Sequence, residues 1–178
     1  GKGEFEGNKY VGEFKGDQAS GQGIWTNSFG DRYVGEFKDW TFNGYGSFTY
    51  ANGDKYLGEF KDNLFDGQGV FIFVSGEIYL GEFKDDLYHG QGMHMSSDGT
   101  RYAGKWKEDK EWEGTEYDED GYVIGSYTGG VWGGVNQSQV LSGPTDSSGV
   151  PTRILLANGT AFAVSRHYLL TASHVVED

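Results

Sequence analysis

Few side chains in this sequence are of types that do chemistry. The 178 residues include four histidines, 27 aspartates and glutamates and no cysteine, which excludes thiolate nucleophiles, thiolate metal sites and disulfides. His89 and His94 are five apart, so within one strand they point to opposite faces. Asp118–Gly121 reads DEDG but lacks the twelve-residue spacing and closing Glu of a calcium loop, which makes it a polar turn. No metal ligand and no cofactor site is assigned. There remains His174, in LLTASHVVED. A catalytic histidine of the triad type works beside a nucleophile that it deprotonates and a carboxylate that fixes its ring. What the preceding 173 residues build therefore decides how His174 is read.

They build a repeat. YVGEFKGDQASGQG starts at Tyr10, YVGEFKDWTFNGYG at Tyr33, YLGEFKDNLFDGQG at Tyr56, YLGEFKDDLYHGQG at Tyr79 and a drifted YAGKWKEDKEWEG at Tyr102, always 23 residues apart. Glycines keep the same offsets: Gly12, Gly21, Gly23 and Gly30 recur as Gly58, Gly67, Gly69 and Gly76 two units later. Each unit alternates with period two, which predicts two short strands and their turns. Tyr56, Gly58 and Phe60 share one face of the first strand, and Leu57, Glu59 and Lys61 the other. In the second, Gly67, Gly69, Phe71 and Phe73 share a face. Glycine inside a strand weakens it unless something approaches the bare backbone. The tyrosines and phenylalanines on the same face are expected to lie over these glycines and recover the buried area. Without a following helix, GQG is no phosphate loop.

The 23-residue YxGEFK…GxG unit resembles the MORN repeat, over roughly residues 1–128. The resemblance implies an all-β chain of consecutive antiparallel hairpins in one elongated sheet. At about 10 Å per unit, five units span about 50 Å. GKGEFEGNK before Tyr10 and VIGSYTGGVW at 123–132 read as half-units that end the array. Glu13, Glu36, Glu59 and Glu82 lie too far apart to share a proton, and with Lys15, Lys38, Lys61, Lys84 and Lys107 they form an expected solvated face of cross-strand charge pairs. On the aromatic face, Tyr10, Tyr33, Tyr56, Tyr79 and Tyr102 hold one offset, and Trp25, Phe48 and Phe71 another, which His94 shares. These aromatics are the candidate binding residues for a protein segment, although filling the face and covering glycine is the simpler account of them.

At Val135 the period ends. Residues 136–149 form a polar Ser/Gly-rich linker, and 150–178 carry apolar strands, TRILL, GTAFAV and HYLLT. GTAFAV followed by YLLTASHVV resembles the first strands of a trypsin-like serine peptidase. That resemblance implies that His174 is the general base and that Gly159, Thr160 and Phe162 belong to the strand before it. Ala161 and Ser173 depart from the family's usual glycine and alanine. In the family's order the Asp and Ser follow the histidine, so both would lie beyond residue 178 and the chain alone is not an active protease. The expected fold is thus all-β throughout, with a repeat sheet over 1–135, a linker, and a few strands of an incomplete trypsin-like barrel. Residues near the C-terminus are expected to be poorly ordered or abnormally packed.

Charge narrows the partners. Residues 1–135 carry 24 Asp and Glu against 12 Lys and Arg, a net charge of -12. Such a surface repels phosphates, which disfavours nucleic acid and an anionic membrane. A protein or peptide segment is the expected partner, and open sheet edges invite self-association. A cysteine-free composition fits a cytoplasmic or bacterial setting. The function these features point to is a scaffolding module that recruits or positions a trypsin-like endopeptidase. The alternatives are a purely structural interaction module and a lipid-associating one, neither with a protease.

Overall fold

Period-two alternation becomes a sheet only if each strand finds a neighbour, and here the neighbour is always the next in sequence. A computed structural model describes residues 1–5 and 7–135. The strands are β1 (Lys2–Phe5), β2 (Asn8–Lys15), β3 (Gln18–Thr26), β4 (Arg32–Lys38), β5 (Thr41–Thr49), β6 (Lys55–Lys61), β7 (Leu64–Ile72), β8 (Ile78–Lys84), β9 (Leu87–Met95), β10 (Arg101–Lys107), β11 (Lys110–Tyr117), β12 (Val123–Thr128) and β13 (Val131–Gly134). They form one antiparallel sheet in sequence order. At the C-terminal end Val131–Gly134, a strand of four residues, pairs with β12. Residues 150–178, which carry the peptidase resemblance and the expectation of poor order, lie outside the described residues.

The core lies on one face and is aromatic. Tyr33, Tyr56 and Tyr79 are 0% exposed, and Phe37, Phe60, Phe83 and Trp106 are buried beside them. Glycines from β2 to β11 pair in one continuous row: Gly12 with Gly23, Gly23 with Gly35, Gly35 with Gly46, and onward to Gly104 with Gly114. Each tyrosine ring covers one such pair. A Cβ added at Gly69 would stand 2.6 Å from Tyr56 Cε2, and one added at Gly58 would stand 2.6 Å from the Gly69 Cα. The ring is then locked at its tip, for the Tyr56 hydroxyl donates to the Glu59 carbonyl at 2.9 Å. Tyr10, Tyr33, Tyr79 and Tyr102 make the same bond three residues ahead. One ring of the second strand stacks on the tyrosine: Phe42 on Tyr33 at 3.9 Å, Phe65 on Tyr56 at 3.7 Å and Tyr88 on Tyr79 at 3.6 Å. The first unit has Ala19 at that place. Trp40 reaches over instead, 5.5 Å from Tyr10 and 5.7 Å from Phe14.

The glycine at the Gly67 offset does something different from what alternation predicts. Pairing jumps from Gly58–Gly69 to Phe60–Phe65, so β7 bulges against β6. Gly67 holds φ 116° within the bulge, and a side chain there would run into the Glu59 carboxyl carbon at 2.7 Å. No ring covers it; its backbone conformation requires glycine. Within the bulge Glu59 Oε1 accepts from Gln68 N at 3.0 Å, as Glu82 Oε1 does from Gln91 N at 2.8 Å. Glu59 and Glu82 therefore cap bulges. The expected ladder of Lys–Glu pairs does not form: among the described residues the one lysine–carboxylate bridge is Lys105–Glu113.

Neighbouring units are also stapled through their tight turns. The Asp86 carboxylate accepts from Phe65 N at 2.7 Å, and Asp86 N donates back to Phe65 O at 3.1 Å. Asn63 with Phe42, and Asp109 with Tyr88, repeat the arrangement. Asn63, Asp86 and Asp109 have φ between 63° and 73°, a region that Asn and Asp tolerate better than most residues. Asp86→Ala removes the acceptor and leaves the Phe65 amide without it. The expected cost is about 2 kcal/mol, read as a fall of roughly 4–8 °C in Tm with faster exchange of the Phe65 amide. Asp85→Ala is the control, and equal effects of the two would refute the staple.

Candidate functional site

The eight aromatics singled out from the sequence separate into two layers. Tyr10, Tyr33, Tyr56, Tyr79 and Tyr102 are buried, and their hydroxyls bond to the backbone. They form the floor, with no ring edge to offer a partner. Trp25, Phe48 and Phe71 are half-buried and pack against that core from the second strand of each unit. They belong to a longer row. Trp25 lies 6.4 Å from Phe48, Phe48 4.7 Å from Tyr50, Tyr50 5.9 Å from Phe71, and Phe71 4.5 Å from Phe73. Tyr50 was missing from the sequence set, although it stands two residues past Phe48 on the same side of the strand, and period two reaches it.

A groove of about 350 Å³ opens in this row, lined by Phe48, Tyr50, Phe60, Asn63, Phe65, Phe71 and Asp86. Carboxylates flank it. Burial raises the pKa of the Tyr50 phenol, and Asp86, Asp31 and Asp54 raise it further. Tyr88 is raised by burial and then by Asp109 and Glu77. Hydrogen bonds fix these carboxylates to neighbouring units: Asp31 accepts from Ala51 N and Asp54 from Val74 N, both at 2.8 Å. His94 continues the row, with its ring 6.1 Å from Trp106 and its Nε2 3.8 Å from Glu77. His89 pairs with Glu82 across the strands and faces the other way, as the five-residue spacing requires. Asp118 accepts from Tyr122 N at 2.8 Å within its turn. This arrangement has the chemistry of a surface for contact, with rings to be covered and fixed negative charge beside them. His174 lies outside the described residues.

The model of the MORN repeat matches residues 10–31, 33–55, 56–78 and 79–101. The chain belongs to the MORN repeat family. Among curated proteins no match to the chain is found. The unit that begins at Tyr102 falls outside the matched residues, although its tyrosine still covers the Gly104–Gly114 pair. Its local chemistry has changed. Lys105 stands where the MORN units have Glu, and it pairs with Glu113 at 2.8 Å. Lys107 lies 4.5 Å over the Trp112 ring. Glu111 takes the place of the stacking ring, opposite Trp106. Tyr127 comes in from β12 instead, edge-on to Tyr102 at 5.5 Å. The Tyr127 phenol is pushed up to about 12, first by its hydrogen bond with Glu111 and then by burial.

Proposed function

We propose that the MORN array is a protein-binding module whose aromatic face takes a basic, apolar-anchored peptide segment. The observation that carries this reading is the groove between Phe48, Tyr50 and Phe71, with Asp86 at its wall. Half-exposed rings supply area to be covered. The flanking aspartates and the net charge of -12 over residues 1–135 favour Lys and Arg on the partner. The same charge works against anionic lipid. A labelled peptide alternating Lys with Leu or Phe is expected to raise fluorescence anisotropy on titration with the protein, weakening by roughly tenfold between 50 and 300 mM salt. Phe71→Ala should weaken it by about tenfold or more. An acidic peptide of the same length, and vesicles with anionic lipid, are the controls. Equal binding of the acidic peptide would refute the reading.

The array in this proposal serves to recruit or position a trypsin-like endopeptidase. That part is supported only by the resemblance of GTAFAV and YLLTASHVV, with His174 as general base. A parent chain that continues with an Asp and then a Gly-Asp-Ser-Gly-like stretch within about 150 residues supports it. A parent chain lacking them removes the peptidase and leaves the binding module.

A further inference from the structure

The face opposite the aromatic core is more apolar than its Glu and Lys residues suggest. Pairing sets Val11 against Ile24, Ile24 against Val34, Leu57 against Val70, Val70 against Leu80 and Leu80 against Met93. An aliphatic row thus crosses the middle of the sheet, interrupted at Ser47. Val11 is 46% and Ile24 38% exposed, and Val34, Leu57, Val70, Leu80 and Met93 are half-buried. Among the described residues all strands belong to the one sheet, and no second layer covers this row.

Charge borders the row asymmetrically. In β2, β4 and β6 a base, an aliphatic residue and an acid follow at every second position on this face: Lys9, Val11, Glu13; Arg32, Val34, Glu36; Lys55, Leu57, Glu59. On these three strands one side of the row is basic, and on the other side a lysine, Lys15, Lys38 or Lys61, follows each acid two places on; β8 keeps Glu82 and Lys84 but has Ile78 at the basic position. We propose that this face docks a second copy of the chain, face to face, about a two-fold axis running along the aliphatic row. That axis reverses each strand over its own counterpart. Arg32 of one copy then meets Glu36 of the other, Lys55 meets Glu59, and Val34 and Leu57 meet themselves. A two-fold axis along the strands would set acid on acid. The unit from Tyr102 breaks the order with Lys105, and Glu113 neutralises it from the same side. Ten strands at about 4.8 Å and three residue rows about 7 Å apart offer roughly 700–1,000 Å² per copy, the size of a stable dimer interface.

The full chain is expected to sediment as a dimer at about 100 µM, a concentration at which an interface of this size is populated. Lys9→Glu/Arg32→Glu/Lys55→Glu, which sets acid against acid across the axis, should weaken the dimer at least tenfold while circular dichroism stays unchanged. Because the chain has no cysteine, single cysteines report the axis. Val34→Cys and Leu57→Cys should each cross-link to their own counterparts under mild oxidation, and Phe29→Cys, in an exposed turn, should not. A chain that stays monomeric, whatever else then covers the row, overturns the proposal. So does a charge-reversed triple variant that dimerises as well as the parent, or cross-linking at 29 as efficient as at 34 and 57.

Discussion

Gly69→Val is expected to unfold the middle of the array, at a cost of about 3–5 kcal/mol. The argument is steric. A Cβ at Gly69 would lie 2.5 Å from the Tyr56 hydroxyl and 2.6 Å from its Cε2. The ring cannot retreat, because Phe65 stacks on it at 3.7 Å, Phe60 and Phe83 meet its plane edge-on at 5.1 and 5.0 Å, and its hydroxyl is bonded to the Glu59 carbonyl. Pairing is between sequence neighbours, so the damage should spread outward from the third unit. Hydrogen exchange is therefore expected to lose protection in β5 to β8 first, with β2 and β11 following. Gly133→Ala is the control: the nearest atom to a Cβ there is Ser126 O at 3.9 Å. A Gly69→Val protein within 1 kcal/mol of the parent, on the order of one ordinary surface change, would mean the ring is not held as described.

That glycine also marks how far the sequence could be read. The 23-residue period and its alternation were enough for the hairpins, their order and the rings over the glycine pairs, because each depends on residues near in sequence. Gly67 shows where alternation stops working. Two-residue counting puts it under a ring, whereas the bulge gives it a positive φ and turns its side-chain direction toward Glu59. Bulges shift pairing on one side of a strand only, which a count along that strand does not register. The Asp86–Phe65 staple was hidden for another reason. It joins residues 21 apart across the backs of neighbouring turns, and nothing local distinguishes its aspartate from a solvated one. The candidate site was half legible: the half-exposed row of Trp25, Phe48 and Phe71 is separated from the buried tyrosines only by depth, and both rows alternate alike.

Depth is what makes the second large effect. Tyr79→Ala is expected to cost about 3–5 kcal/mol, because it empties a 0% exposed site and strips the cover from Gly81 and Gly92. Tyr79→Phe keeps the ring and loses the bond to the Glu82 carbonyl at 2.9 Å, for about 1 kcal/mol. The phenol adds a pH dependence whose sign follows from burial. Desolvation raises the pKa of Tyr79, with Tyr88 and Glu82 adding to it, and burial followed by Glu36 raises that of Tyr33. An unfolded tyrosine ionises near pH 10. The stability these phenols supply is therefore complete below about pH 10 and is lost as pH rises toward the folded values, since only the unfolded chain releases the proton. The array should melt progressively in alkali above about pH 10, with no contribution from these groups to changes between about pH 6 and 9. Guanidinium midpoints at pH 7, 9, 10.5 and 11.5 would test this, using values that bracket the ordinary phenol pKa of about 10. Tyr79→Phe should start lower than the parent at neutral pH and fall less steeply in alkali, because it has one phenol fewer to ionise on unfolding. If both proteins fall with the same slope, the buried phenols are not what alkali attacks. If Tyr79→Ala holds its midpoint, the ring is not what keeps the glycine row closed.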